Sequence, residues 1–367
     1  MILYRGNKKM DEIRIGVVGL GAWGWNVGRC FYELTDCKLV ACCDLSESRR
    51  AAAEKNWPGV IAYRSIEEMF ARADIQAVVI SSPAVTHYPL VRKALLADYD
   101  VLVEKPFTLN VAHAEELLHL SDARDRVLMV GHLLEYHPVV EELRRIIADG
   151  ELGDIYYIYT QRVNLGRIRG DENALWSFAP HDISQILYML DVDDPIDVSA
   201  RGQSFIRDGI EDVVFLSLFF ENRIMAHIHL SWLDPHKMRT TTIVGSRRMA
   251  VFDDVATTEK LRIYDSCAAP QRPSSYGEAI QVRFGDIRIP RVSTAEPLKI
   301  EAQHFIDCVA QRRTPRSNAH DGLRVVKILQ AAQNSLEQDG IPVSLRGTNE
   351  YMHTSERANR RWTALRV

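Results

Sequence analysis

Ile13-Arg14-Ile15-Gly16-Val17-Val18-Gly19-Leu20-Gly21-Ala22-Trp23-Gly24 is a short apolar run that ends in three glycines spaced GxGxxG. Alone, that spacing describes any glycine-rich turn. Its setting says more: a buried strand reads up to Val18, and a helix reads from about residue 25 to 34. There Gly19 makes the turn, Gly21 lets the backbone approach a pyrophosphate, and Gly24 lets the helix pack closely on the strand. Ala22 and Trp23 complete the turn, and the free N–H groups of the helix start face the anion. The next apolar run, 38–43, ends at Asp44, 20 residues beyond Gly24. A carboxylate there accepts hydrogen bonds from the adenosine ribose and repels a 2′-phosphate, so NAD is expected over NADP. Arg49 and Arg50 follow closely and soften that preference.

Outward from this turn the rhythm persists. Strand-like runs at 75–80, 101–103 and 127–130 alternate with helical patterns at 47–55, 88–97 and 111–121. Short apolar runs separated by helices indicate βαβ units and a parallel sheet covered on both faces. After Gly131 the pattern changes. A helix at 138–148 and a strand at 155–163 lead to closely spaced strands at 198–206, 213–220, 224–232, 240–244 and 249–252, with a hairpin signal at Glu221-Asn222. Residues 267–297 read as a long loop, and helices follow at 299–312 and 321–338. The expected fold is α/β plus α+β: an N-terminal Rossmann domain with a parallel sheet, and a C-terminal domain with a large, mostly antiparallel open sheet. The boundaries are 11–131 for the NAD-binding domain, 132–350 for the substrate and oligomerisation domain, and 351–367 for a basic tail. The last helix is placed to pack back on the first domain.

Composition narrows the class. The 367 residues suit two or three domains at roughly 150 each. With 45 Lys plus Arg against 49 Asp plus Glu, the net charge is −4, so no basic field is available for nucleic acid or an anionic membrane. No apolar run approaches membrane-helix length, and the first ten residues lack the apolar core of a signal peptide. Six cysteines without CxxC pairs read as reduced, buried thiols, and the expected location is the cytoplasm. In 213–220 both strand faces are apolar, so both need cover. Helices of the chain supply one cover; a second subunit or a covering loop supplies the other.

Loops at the carboxyl ends of parallel strands line the ligand crevice. Ser82-Pro83 follows the 75–80 strand there, and His87 either lies beside the cofactor or caps and packs at a helix start. Glu104-Lys105-Pro106 follows the 101–103 strand, and the proline biases Lys105 away from helix, aiming its side chain into the crevice. Ala179-Pro180-His181-Asp182 reads as a helix start with Pro180 in the first position. Ile183, Ile186, Leu187 and Leu190 form its buried stripe, and His181 lies off that stripe, free to act as a base near the helix's positive end.

In combination and in order, Gly19 to Gly24, Ser82-Pro83 to His87, Glu104-Lys105-Pro106 and the His181 helix resemble the Gfo/Idh/MocA family of sugar and inositol dehydrogenases. The resemblance implies catalytic roles for Lys105 and His181, with Lys105 and Glu104 also beside the cofactor. Two stretches look like bacterial UDP-N-acetylglucosamine 3-dehydrogenases: Arg162 to Arg169 running on through Asn173-Ala174-Leu175-Trp176 to His181, and Glu296-Pro297-Leu298 running to Val326. The family's aspartate four residues before the histidine is Ser177 here, and that three residues after it is Ser184.

A nucleotide-sugar pyrophosphate needs cations. Arg162, Arg167 and Arg169 supply three, unless they are a solvated basic loop. Tyr136 or Trp176 can stack on a ring, and Asn164 and Ser177 complete the candidate substrate set. The expected chemistry is C3 oxidation, with His181 taking the hydroxyl proton and Lys105 stabilising the alkoxide. The resemblance further implies an aminotransferase acting on the 3-keto product, for lipid A or a surface glycan. A free-sugar or inositol dehydrogenase is the alternative, and a cofactor-binding regulator without chemistry the third reading. No metal site is read: His227 and His229 share a strand face, but spacing assigns no third ligand.

Overall fold

A computed structural model describes residues 12–166, 168–270 and 280–346, which fall into two compact units. The chain through Pro138 forms most of the first. Its elements are β1 (Ile13–Val18), α1 (Ala22–Glu33), β2 (Cys37–Cys43), α2 (Glu47–Asn56), β3 (Ile61–Tyr63), α3 (Ile66–Arg72), β4 (Ala77–Ile80), α4 (His87–Leu96), β5 (Asp100–Glu104), α5 (Val111–Ala123) and β6 (Leu128–Gly131). The six strands pair in the order β3-β2-β1-β4-β5-β6, all parallel. All four residues of β4 are buried, as expected of a strand covered on both faces. The order reverses between β1 and β4, and ligands of such sheets bind at the carboxyl ends beside that point.

Within this unit, two elements escaped the sequence reading. β3 has three residues and α3 seven, too short to show a period. A local signal was nevertheless present: the Ser65 hydroxyl caps α3 by accepting from the Glu68 N–H at 3.2 Å.

The second unit contains Val139–Val292 and the chain from Lys327 onward. It opens with α6 (Pro138–Ala148), β7 (Ile155–Val163) and α7 (Ala174–Leu190). The remaining strands are β8 (Asp197–Gln203), β9 (Val213–Phe219), β10 (Met225–Ser231), β11 (Met238–Gly245), β12 (Met249–Asp253), β13 (Leu261–Tyr264), β14 (Cys267–Pro270), β15 (Ile280–Arg283), β16 (Ile287–Arg288) and β17 (Val343–Ser344). Eight of them join β7 in one nine-stranded sheet, β16-β13-β12-β11-β7-β10-β9-β8-β17, antiparallel except for the β7–β10 pair. The stretch expected as one long loop instead carries β14, β15 and β16, and β14 pairs with β15 as a separate hairpin. Its alternation was masked by interspersed Pro, Ser and Gly.

Helix α8 (Pro297–Gln311) and the first part of α9 (Ala319–Glu337), within Ser293–Val326, belong to the first unit. This gives that unit a second segment inside the 132–350 stretch expected to form the other domain. Leu298, Ala302, Phe305, Ile306 and Val309 recur at helical spacing and join Ile13, Ile15, Val17 and Phe31 in one core. Phe305 meets Phe31 edge to face at 6.3 Å. All six cysteines are unbridged and buried, and burial pushes the Cys30, Cys37, Cys42 and Cys43 thiols up to about 12. The tail expected at 351–367 lies outside the described residues.

Candidate active site

The glycine turn has the shape its spacing requires. Gly19 has φ +90°, and a Cβ there would meet the Ser82 backbone nitrogen at 2.7 Å. A Cβ on Gly24 would come within 1.9 Å of the Gly19 oxygen. Gly21 is different: its absent side chain would meet nothing within 4 Å, so the turn presents open backbone to an incoming group. Helix α1 starts there without a side-chain cap, leaving its first N–H groups for an anion. These residues fit a dinucleotide pyrophosphate.

Asp44 follows β2 and is 8% exposed. Its Oδ2 accepts from the Leu20 N–H at 2.7 Å and its Oδ1 from the Ser46 N–H at 2.8 Å, which fixes the carboxylate beside the turn. Arg50 is bound to the Asp44 and Leu45 carbonyls, and Arg49 lies 3.5 Å from the carboxylate. The Ser81 hydroxyl donates to the Gly19 carbonyl at 2.8 Å, tying the loop after β4 to the turn; Ser82 bonds Thr86, and Pro83 leads into the short 84–86 turn.

Trp23 and Glu104, both expected beside the cofactor, meet each other. The indole N–H donates to Glu104 Oε1 at 2.5 Å, and Oε2 accepts from the Lys105 N–H at 3.3 Å. Burial pushes the Glu104 carboxyl up, while the Trp23 bond and the Lys105 charge pull it down. Lys105 is half-buried at the end of β5 and precedes a cis bond to Pro106. Sequence reasoning gave His132 no defined role. It follows β6, is 1% exposed, and neither ring nitrogen has a hydrogen-bond partner. Burial, and then the Lys105 charge, depress its pKa to about 3, so the ring is neutral near pH 7.

In the second unit α7 differs from its expectation. It starts at Ala174, where the Asn173 side chain caps it by accepting from the Trp176 N–H at 3.1 Å, and Pro180 sits inside it. His181 is therefore mid-helix, and the argument from a positive helix end does not apply to it. Almost the whole helix is buried; Trp176, Phe178, His181 and Tyr188 are its half-buried positions, so His181 does lie on the most open face. Ser177, one turn earlier, is buried.

Two expected substrate contacts are corrected. Arg162 is buried on β7 and grips Asp182, with Nε to Oδ2 at 2.6 Å and Nη2 to Oδ1 at 3.3 Å. Its charge is spent inside the unit. Asp182 also accepts from Gln185, which reaches Thr241 on β11. Tyr136 is 1% exposed in the core of the first unit, its hydroxyl 3.0 Å from that of Ser317, and is not a stacking surface. Arg169 is half-exposed and pairs with Asp171 and Glu172. Trp176 donates to Gln333 at 3.3 Å, and the Asn164 N–H to the Ser231 carbonyl at 3.1 Å. Arg167 lies outside the described residues. His227 and His229 stack on Phe215 in the sheet, and among the described residues no three side chains gather as metal ligands.

A Rossmann unit with an open glycine turn, a fixed carboxylate after β2 and a lysine at the end of β5 defines an NAD-dependent oxidoreductase. Residues 13–132 match the oxidoreductase family with NAD-binding Rossmann fold, and residues 140–251 match the Gfo/Idh/MocA C-terminal domain. The chain belongs to the Gfo/Idh/MocA family, whose members act on CH–OH groups.

UDP-N-acetylglucosamine 3-dehydrogenase of Acidithiobacillus ferrooxidans is 26% identical over 320 residues, 86% of this chain and 95% of that one. Inositol 2-dehydrogenase of Corynebacterium glutamicum is 31% identical over 146 residues, 39% of this chain and 43% of that one. Among solved structures, the Acidithiobacillus enzyme superposes with a TM-score of 0.75 at 23% identity, covering 90% and 99% of the two chains. GenD2 from gentamicin A biosynthesis, in complex with NAD, gives a TM-score of 0.78 at 21% identity, covering 95% and 100%.

Proposed function

We propose that this protein oxidises the C3 hydroxyl of a nucleotide sugar, UDP-N-acetylglucosamine, to the 3-keto sugar. The observation that carries the reading is the likeness to UDP-N-acetylglucosamine 3-dehydrogenase, which extends over 95% of that enzyme. NAD, when bound, supplies the hydride acceptor. His181 takes the hydroxyl proton as general base, and Lys105 stabilises the developing alkoxide by charge and hydrogen bonding. Ser177 stands where the family has an aspartate, so His181 receives a hydroxyl neighbour in place of a carboxylate. Arg169, Asn164 and Trp176 are the substrate side chains of this reading, with Arg167 beside them in sequence.

The product is a ketone at a carbon that an aminotransferase converts to an amine, which places the enzyme in 3-amino sugar synthesis for lipid A or a surface glycan. The location is the cytoplasm. The protein works as a homo-oligomer, joined through the face of the nine-stranded sheet that α7 does not cover.

Arg162, committed to Asp182, removes one of three expected pyrophosphate cations and favours a second reading, a free-sugar or inositol dehydrogenase. The two are separated by NADH formation with UDP-N-acetylglucosamine, UDP-glucose, myo-inositol and glucose, with an aminotransferase present to draw off ketone. Turnover with UDP-N-acetylglucosamine that weakens in Arg169→Ala supports the nucleotide sugar. Turnover with inositol or glucose alone, indifferent to Arg169→Ala, replaces it with the second reading.

A further inference from the structure

Both ring nitrogens of His87, the first residue of α4, meet backbone carbonyls. Nδ1 lies 2.7 Å from the Pro106 oxygen and Nε2 lies 2.9 Å from the Ser82 oxygen, and the residue is 1% exposed. Pro106 directly follows Lys105, and Ser82 belongs to the loop after β4. One imidazole thus spans the carboxyl ends of two neighbouring strands. The Ser82 loop is in turn seated on the glycine turn: Ser81 donates to the Gly19 carbonyl, and a Cβ on Gly19 would meet the Ser82 nitrogen at 2.7 Å. A continuous path of close contacts therefore runs from Gly19 through Ser81-Ser82 and His87 to Pro106 and Lys105.

A carbonyl oxygen only accepts, so each contact asks for an N–H. A neutral imidazole has one and an imidazolium two. Burial above all, and also the Lys105 charge, hold the ring toward the neutral form, while the two carbonyls pull the other way. We give the single N–H of the neutral ring to the shorter contact, at Pro106, so that Nε2 packs against the Ser82 oxygen without a bond.

We propose that His87 is a positioning residue: it fastens the turn that carries Lys105 to the loop seated on the glycine turn, so that the amine keeps one place relative to the dinucleotide. The inference rests on Lys105 being the amine of the reaction proposed above, but its test uses no sugar and stands apart from the choice of substrate. Asparagine places an amide N–H2 where Nδ1 was, toward Pro106; glutamine places one where Nε2 was, toward Ser82. Phenylalanine fills the volume and donates to neither.

The measurement is the rate of Lys105 acetylation by acetic anhydride in the full-length protein with NAD bound, read by mass spectrometry of peptides against exposed Lys38. NAD affinity is followed by fluorescence quenching. Loss of the Pro106 bond frees the turn, so His87→Phe raises Lys105 reactivity about tenfold, the equivalent of one buried hydrogen bond. His87→Asn restores the wild-type rate, and His87→Gln does not. Should His87→Phe fail to fold, the Asn and Gln variants carry the comparison by themselves. A Lys105 rate unchanged in His87→Phe, or equal in His87→Asn and His87→Gln, overturns the proposal.

Discussion

At the end of β5, Lys105 lies among buried groups whose titration its charge helps to shift. His87 and His132 are both pushed below the ordinary histidine value by burial and by Lys105 itself, and burial pushes the Glu104 carboxyl up. In a poorly solvated setting, a cation acts strongly on a developing alkoxide. Lys105→Ala is therefore expected to lower kcat about a hundredfold or more, while NAD affinity, measured by fluorescence titration, changes little. His132 makes a separate prediction. The unfolded chain protonates this ring near 6.5 and the folded unit only near 3, so the native state binds fewer protons between those values. Its contribution to stability is full above 6.5 and is lost as pH falls toward 3. His132→Phe removes that contribution, and the fall in Tm between neutral and acidic pH should be shallower than in the wild type. Asp44 sets cofactor choice: Asp44→Ala should weaken NAD about tenfold and narrow or reverse the preference over NADP, read from the two dissociation constants.

At the level of elements, the Arg162–Asp182 pair fixes α7 on the sheet, with both side chains nearly fully buried. Removing one partner leaves a buried charge unmatched, so Arg162→Met should cost about 3 kcal/mol and lower Tm by several degrees. Phe305→Ala on α8 should cost about 3–5 kcal/mol, because Phe305 is fully buried against Phe31 in the first unit's core. Denaturant titration checks both. The glycine turn, Asp44 and the Lys105 turn were legible because each is specified within a few consecutive residues. The start of α7 was not. Pro180 suits a first helical position, and the true signal, Asn173 capping Trp176, lies earlier behind an aromatic run. The Arg162–Asp182 pair was illegible for another reason: its partners are 20 residues apart in the chain and meet only when β7 and α7 pack. Tyr136 failed in the same way, since nothing in its neighbours announced a partner at Ser317.

Across the whole molecule, the feature most clearly written in the sequence is the doubly apolar strand β9. Val214, Leu216 and Leu218 are buried on the side where α7 packs, and Phe215 on the other face is 45% exposed. That open face continues through register: Met225 lies opposite Tyr157 and Phe219, and His227 opposite Tyr159. Exposed aromatic side chains in a row on one sheet face are what the proposed homo-oligomer would bury. Phe215→Asp should convert an oligomer to a smaller species in sedimentation velocity while leaving the Tm of the monomer near that of the wild type. An unchanged sedimentation coefficient would remove this face from the assembly. Unit membership was only partly legible, because the apolar stripe of α8 shows that the helix packs but not on which sheet.

The most direct test follows a labelled hydrogen. UDP-N-acetylglucosamine carrying deuterium at C3 is incubated with the protein, NAD and an aminotransferase, and the reduced cofactor is analysed by mass spectrometry. The account predicts reduced cofactor that carries the deuterium, at a rate reduced about a hundredfold or more in Lys105→Ala. Reduced cofactor without deuterium, or turnover indifferent to Lys105→Ala, contradicts it.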